Sequence, residues 1–233
     1  MKLVAQMVGY NESGRFLDRV LTHLTPIVDE VVFTDDCSTD DTREIAAKHG
    51  AHVYSMDEPT FTTNEGLLRT TAWNNLENHT QPGDWVLAID CDEELWSNRP
   101  DVDIREIMRQ DNFDVVNIRF YHMWNETHYR DDKLWTPNNS TRMFRFFYGG
   151  SFQDRKLACG SEPTYVQTLA RRGRYMADSG LIMKHLGYIR DEDKQAKYER
   201  YMALDHGDFH QLSHIESIVD PEPTLIEWEY GQD

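Results

Sequence analysis

The sequence predicts a single α/β domain with a Rossmann-like, mostly parallel central sheet flanked by helices and antiparallel additions in its C-terminal half. Three observations lead there. Strand-like and helix-like periods alternate through residues 1–95, the run Trp85–Ile89 is continuously apolar as in a strand buried on both faces, and each early acidic cluster falls just past a strand. In a doubly wound sheet those strand ends face the ligand crevice.

Residues 2–9 form a short apolar run closed by Gly9, and after Asn11-Glu12-Ser13-Gly14 the residues Phe16, Leu17, Val20, Leu21 and Leu24 recur at helical spacing. Glu30–Thr34 is a second β-rich segment. Ser38 and Asp41 have capping-box spacing before a short helix through Ile45 and Ala46, which Gly50 closes. His52–Ser55 reads as a third strand, 64–78 as a helix, Pro82-Gly83 as a turn and Trp85–Ile89 as the next strand. The second half changes character. Val116, Ile118 and Phe120 alternate with Asn117, Arg119 and Tyr121, and Arg142–Phe147 follows as another antiparallel-type strand. The aromatic-rich stretch His122–Asn139 is long for a connection and reads as a substrate loop or lid. A last helix covers about Asp191–Asp205, and the Pro-containing tail after Asp220 reads as extended or mobile. These elements divide the expected domain into 1–95, 96–220 and a 221–233 tail.

The 233 residues fit one α/β unit, and 39% hydrophobic with 12% aromatic residues supply a sizeable core. A net charge of −17 repels phosphate polymers, so a nucleic-acid or acidic-membrane partner needs a local basic patch, for which Arg171, Arg172 and Arg174 are the best cluster. An acidic protein that uses a nucleotide holds its diphosphate with a divalent metal and a few placed arginines. The three cysteines, Cys37, Cys91 and Cys159, are odd in number and lack a C-x-x-C pair, which supports neither a disulfide framework nor a zinc ribbon. A reducing, cytoplasmic setting is expected, and no stretch approaches the length of a bilayer span.

Asp90 and Asp92, one residue apart beyond a buried strand, can reach one small volume where a hard divalent cation would balance their charge. Taken alone, the pair also reads as a solvated acidic turn. The segment Val31-Val32-Phe33-Thr34-Asp35-Asp36-Cys37-Ser38-Thr39-Asp40-Asp41-Thr42 closely resembles the nucleotide-binding motif of the family 2 glycosyltransferases, which have the GT-A fold. Val8-Gly9-Tyr10-Asn11-Glu12 resembles that family's opening strand and "N-E" loop, and Phe61, Arg69 and Trp85–Leu95 with Asp90-Cys91-Asp92 continue the likeness. Further on, Arg142-Met143-Phe144-Arg145, Ser161-Glu162 and Lys184-His185-Leu186-Gly187-Tyr188 are similar to elements of its smaller bacterial members, including those that build lipopolysaccharide core. Ser161 stands where those members often have a histidine.

The resemblance implies a donor site of Tyr10, Asn11, Glu12, Asp35, Asp36, Arg69, Asp90 and Cys91, with a carboxylate accepting the N3 proton of uracil. It implies Mn²⁺ or Mg²⁺ on Asp92 and Asp90, completed by His185, and transfer of a sugar from a UDP-sugar to an acceptor hydroxyl. In an inverting reaction Glu162 is the expected general base, with Asp154 in reserve. Several residues keep a second reading. Glu162 also fits an exposed loop acid before Pro163, His185 an ordinary strand-end histidine, and Arg69 a partner for Glu65 one helical turn earlier. Tyr121, His122, Trp124, His128, Tyr129 and Trp135 suit either sugar stacking or core packing. His206, His210 and His214 would share a helix face as zinc ligands, or form a solvated face interrupted by Gly207.

The acceptor expected is a saccharide or glycolipid, with a modified DNA base as the alternative. A nucleotidyltransferase shares the layout but wants a Gly-rich basic loop after the first strand, which is missing here. A non-catalytic nucleotide-sugar binder is the remaining alternative.

Overall fold

The computed structural model describes residues 1–132, 134–156, 159–205 and 210–229. The chain runs β1 (Leu3–Gly9), α1 (Leu17–Leu24), β2 (Glu30–Asp35), α2 (Thr42–Lys48), β3 (His52–Ser55), α3 (Glu65–Glu77), β4 (Trp85–Ala88), β5 (Glu93–Ser97) and α4 (Ile104–Arg109). It continues through β6 (Val115–His122), β7 (His128–Arg130), β8 (Asn138–Arg145), α5 (Thr164–Arg171), β9 (Tyr175–Met176), β10 (Leu181–His185), α6 (Asp191–Leu204), α7 (Leu212–Ser217) and β11 (Leu225–Glu227).

The main sheet has the order β3-β2-β1-β4-β8-β6-β10-β5, with β9 added beside β6. β1 pairs in parallel with both β2 and β4, so the chain steps outward from β1 in one direction and then returns to its other side. That reversal opens a crevice at the carboxyl ends of β1 and β4. β8 joins β4 and β6 antiparallel, as the alternating pattern of the second half predicts.

Strand alternation sorts the core. Leu3, Ala5 and Met7 of β1 join Leu17, Val20, Leu21 and Leu24 of α1 on one side of the sheet. Val4 turns to the other side, where Trp73 and Leu76 of α3 pack with Val86, Phe144 and Phe146. A separate cluster of Trp124, Trp135, Tyr188 and Ile218 lies under the second half.

The structure corrects several expectations. The stretch His122–Asn139 is not a free lid: β7 pairs with β11, and Trp124 and Trp135 are 5% and 1% exposed. Their rings gain more from burial than a mobile loop would return. The same pairing orders part of the tail, leaving 225–227 extended. Asp41 is the N-cap residue of α2 but makes no capping hydrogen bond. Asp40 Oδ1 instead accepts from the Thr42 N–H, and Ser38 Oγ accepts from Asn11 N–H, so the capping-box spacing serves the β1 loop. β5, β9, β10 and α7 extend beyond the elements expected. The histidine face is broken: α6 ends at Leu204 and α7 begins at Leu212, His210 lies between them, and His206 is outside the described residues. Among the described residues no helix is long and apolar enough to cross a membrane.

Candidate functional site

The loops after β1 and β4 meet at Gly9, where an added Cβ would stand 2.6 Å from Phe33 and 2.9 Å from Cys91 Sγ. Only glycine permits that approach. Cys91 Sγ in turn donates to Val8 O at 3.3 Å, and burial raises its thiol well above the ordinary range, so it stays a neutral tie between the loops. Above them opens a cleft of about 800 Å³.

Of the expected residues, Tyr10, Glu12, Asp36, Arg69, Asp90, Cys91, Asp92 and His185 line this cleft. Asn11, Asp35, Asp154 and Glu162 do not. Asn11 takes positive φ (51°) and its Oδ1 accepts from Thr39 N–H at 2.8 Å, which fastens the loop after β1 to the loop after β2. Asp35 is fully buried, with Oδ2 accepting from Ser38 N–H at 3.0 Å and Oδ1 without a hydrogen-bond partner among the described residues. Asp36 accepts from the backbone of Thr60 and Phe61 at 2.7 and 2.9 Å and so carries Phe61 to the cleft wall. Asp154 is exposed and bonds Asn64, the N-cap of α3. Glu162 is half-buried just before α5, where burial raises its carboxyl despite Arg142 and Arg69 nearby.

Asp90 sits between two guanidinium groups, Arg69 Nη1 at 3.3 Å and Arg142 Nη1 at 3.6 Å. Burial alone would raise its carboxyl, but the two arginines outweigh it and hold Asp90 below the ordinary range. Arg69 also reaches Glu65 at 3.3 Å, the partner expected one helical turn earlier. Glu93 behaves oppositely. Burial, with repulsion from Asp90 and Asp92, pushes it up to about 8 against the pull of Arg142 at 2.9 Å. A protonated Glu93 cannot accept through both oxygens at full charge, yet Oε2 still receives Asp90 N–H at 2.9 Å and shapes the turn.

Asp92 faces the other wall. Its Oδ2 is 3.3 Å from His185 Nε2 and 3.9 Å from Lys197 Nζ. Burial opposes ionisation, but His185, Lys197 and Arg15 together keep Asp92 well below the carboxylate range. His185 Nδ1 is 2.9 Å from His122 Nδ1, and burial lowers both imidazoles, so both are neutral near pH 7. Leu186 N–H donates to Asp92 O at 2.7 Å, and an added Cβ on Gly187 would stand 2.3 Å from Asp92 Oδ2. The turn after β10 therefore closes directly over the acid pair.

Apart from Lys197, whose helix fits the family resemblance, several cleft residues were not singled out from the sequence. Asp193, Lys197, Arg200 and Tyr201 project from α6 at i, i+4, i+7 and i+8, one face of the helix. That periodicity is polar, and a search for apolar stripes passes over it. Arg15 links Glu12 at 3.0 Å to Asp193 at 3.2 Å and so joins the β1 loop to α6. Burial raises Glu12 to about 7, and its Oε2, like Arg200 Nε, is buried without a partner among the described residues. Unpaired buried polar atoms cost about 1–3 kcal/mol each, a cost that a polar ligand in the cleft would relieve. Five basic side chains line the cleft, Arg15, Arg69, Arg142, Lys197 and Arg200, beside seven acidic ones of which Glu12 and Glu93 are raised toward neutrality, so it offers an anion cationic partners within a chain of net charge −17.

Comparison with known proteins agrees with the fold. An uncharacterized protein of Mycobacterium bovis is 26% identical over 214 residues, covering 88% of this chain and 51% of its own. An uncharacterized glycosyltransferase of Rickettsia conorii is 32% identical over 149 residues, covering 61% and 48%. The chain thus spans about half the length of these curated relatives. Among solved structures, S. aureus TarS 1-349 in complex with UDP-GlcNAc superposes with a TM-score of 0.52 at 16% identity, covering 94% of this chain and 70% of that one, a likeness of fold. The sheet is the GT-A arrangement expected. The sequence model of glycosyl transferase family 2 matches residues 7–163, and the chain belongs to that family.

Proposed function

We propose that this chain transfers a sugar from a nucleotide diphosphate sugar, a UDP-sugar, to a hydroxyl of a saccharide or glycolipid, with inversion and with help from Mn²⁺ or Mg²⁺. The observation that carries the reading is the acid pair at the switch point, Asp90 clamped by Arg69 and Arg142 and Asp92 set 3.3 Å from His185, in a cleft large enough for a nucleotide sugar. Family membership supports the reaction class.

The donor set fits a divalent ion. Two ionised carboxylates and a neutral imidazole are oxygen and nitrogen ligands, and donation from His185 Nδ1–H to neutral His122 would leave the lone pair on Nε2, toward Asp92. Asp92, Asp90 and His185 would hold the ion, and its charge would stabilise the departing diphosphate. The remaining roles belong to the chain. Arg15, Lys197 and Arg200 neutralise diphosphate oxygens, and Asp36, the acid of the Asp35-Asp36 pair that lines the cleft, is the acceptor proposed for uracil N3–H. Tyr10 and Phe61 flank the base. Glu162 lies outside the cleft lining but next to Ser161, which accepts from the cleft's Arg142, and with its raised carboxyl it is the group proposed to take the acceptor proton.

Lys197 favours a second reading of the charge balance, in which it and Arg200 neutralise the diphosphate without metal, because its Nζ stands 3.5 Å from His185 Nε2 and 3.9 Å from Asp92. Transfer that survives EDTA undiminished would select that reading. The DNA-base alternative loses ground, since Arg174 of the basic patch is paired with both oxygens of Asp114.

The test is turnover of UDP-sugars with Mn²⁺ and glycan acceptors. Glu162→Gln should bind donor normally while transfer drops roughly 10²–10⁴-fold. Transfer at the wild-type rate removes Glu162 from the mechanism.

A further inference from the structure

A second constellation of ligand-type side chains stands at the opposite end of the sheet. Glu30 and His52 are the first residues of the parallel strands β2 and β3, and His79 follows the end of α3. Glu30 is five residue steps along β2 from Asp35 at the cleft end of the strand, about 17 Å at 3.3 Å per residue. Glu30 Oε2 lies 3.4 Å from His52 Nε2 and 3.3 Å from His79 Nδ1. One ligand atom from each residue falls within 4.8 Å of the other two.

Those separations have a chemical meaning. A tetrahedral ion with ligand bonds of about 2.05 Å sets its ligand atoms about 3.3 Å apart, so two edges of the coordination triangle are already at length. The third closes when the two imidazoles, stacked with centroids 4.1 Å apart, splay around an ion. His52 is nearly half exposed and free to turn.

The outer contacts point the same way. Tyr54 Oη is 2.9 Å from His79 Nε2, and in the tautomer in which Tyr54 accepts that N–H the lone pair is left on Nδ1, the atom facing Glu30. Lys2 Nζ bonds Glu30 Oε1 and leaves Oε2 toward the histidines.

We propose that Glu30, His52 and His79 form a surface site for a zinc-class transition ion, which ties the edge strand β3 to β2 and to the end of α3. Two nitrogens and one oxygen suit Zn²⁺, Co²⁺ or Ni²⁺ better than the oxygen-seeking Mg²⁺. The site is independent of the cleft and of the reaction proposed for it.

Titration of the whole chain with Co²⁺, read by its tetrahedral visible absorption, tests the proposal, with Asp92→Asn separating any ion held in the cleft. The absorption should persist in Asp92→Asn and weaken at least tenfold in affinity in both His52→Ala and His79→Ala, with Zn²⁺ raising the melting temperature of the parent but not of these two variants. Should His79→Ala fail to fold, His52→Ala decides, because His52 is a half-exposed edge residue. Wild-type Co²⁺ affinity in His52→Ala, or absorption that vanishes in Asp92→Asn, overturns the assignment.

Discussion

The two walls of the cleft carry similar side chains on dissimilar supports. On one, Glu12, Asp36, Asp90 and Asp92 stand on short loops after parallel strands whose backbones are buried on both faces. On the other, His185 ends β10 while Asp193, Lys197 and Arg200 occupy one face of α6, a helix whose one buried residue is Asp193. The first wall is positioned by the sheet. The second is held by what lies behind it: Tyr188 stacks on Trp124, Trp135 packs edge-on to both, and Lys197 Nζ sits 4.3 Å over the Tyr188 ring. Polar residues on α6 can face inward because that aromatic cluster supplies the apolar burial the helix lacks.

The largest expected effect probes that dependence. Trp135 is 1% exposed, and its Nε1–H donates to Ser217 Oγ at 2.9 Å. Trp135→Ala should cost about 3–5 kcal/mol in chemical denaturation. A loss under about 1 kcal/mol would show that the second wall stands without its aromatic support.

Gly187 tests where the walls touch. Its missing Cβ lets Asp92, Lys197 and His185 converge, with the nearest clash at 2.3 Å. Gly187→Ala should leave the melting temperature within a few degrees and lower transfer roughly 100-fold, the effect of a displacement near 1 Å at a reacting centre. Near-normal transfer would mean that the convergence is incidental.

Glu12 gives the smallest effect and a sign in pH. Its folded value of about 7 exceeds the ordinary 4.5, so the native state binds that proton more tightly. Its favourable contribution is complete below pH 4.5 and is lost as pH rises through 7. In ligand-free protein Glu12→Gln should therefore add about 1–2 kcal/mol at pH 8 relative to its effect at pH 4. Equal effects at both pH values would contradict a strained carboxyl at the β1 loop.

How far the sequence was legible follows the same division. Alternating periods gave the strands and helices through β4 and their parallel, doubly wound arrangement, and strand-end placement brought Glu12, Asp36, Asp90 and Asp92 to one cleft. Asn11 and Asp35 belong to the same motifs but serve the loops behind the cleft, because their side chains satisfy Thr39 and Ser38 backbone groups. His185 was legible through resemblance alone. Its partner Asp92 is far away in sequence, and the antiparallel pairing of β10 with β5 that joins them has no local signal. Arg15 and Arg200 were missed since nothing nearby in the chain indicates what they face. The long stretch after β6 was misread as a lid because its pairing partner, β11, lies at the far end of the sequence.

Calorimetric titration of UDP into wild-type protein and Asp92→Asn, with and without Mn²⁺, tests the central claim most directly. The account predicts binding that Mn²⁺ strengthens at least tenfold, about 1.4 kcal/mol, and an Mn²⁺ effect that Asp92→Asn abolishes. No UDP binding by the wild type, or binding to both proteins that ignores Mn²⁺, would contradict a metal-assisted donor site at Asp92.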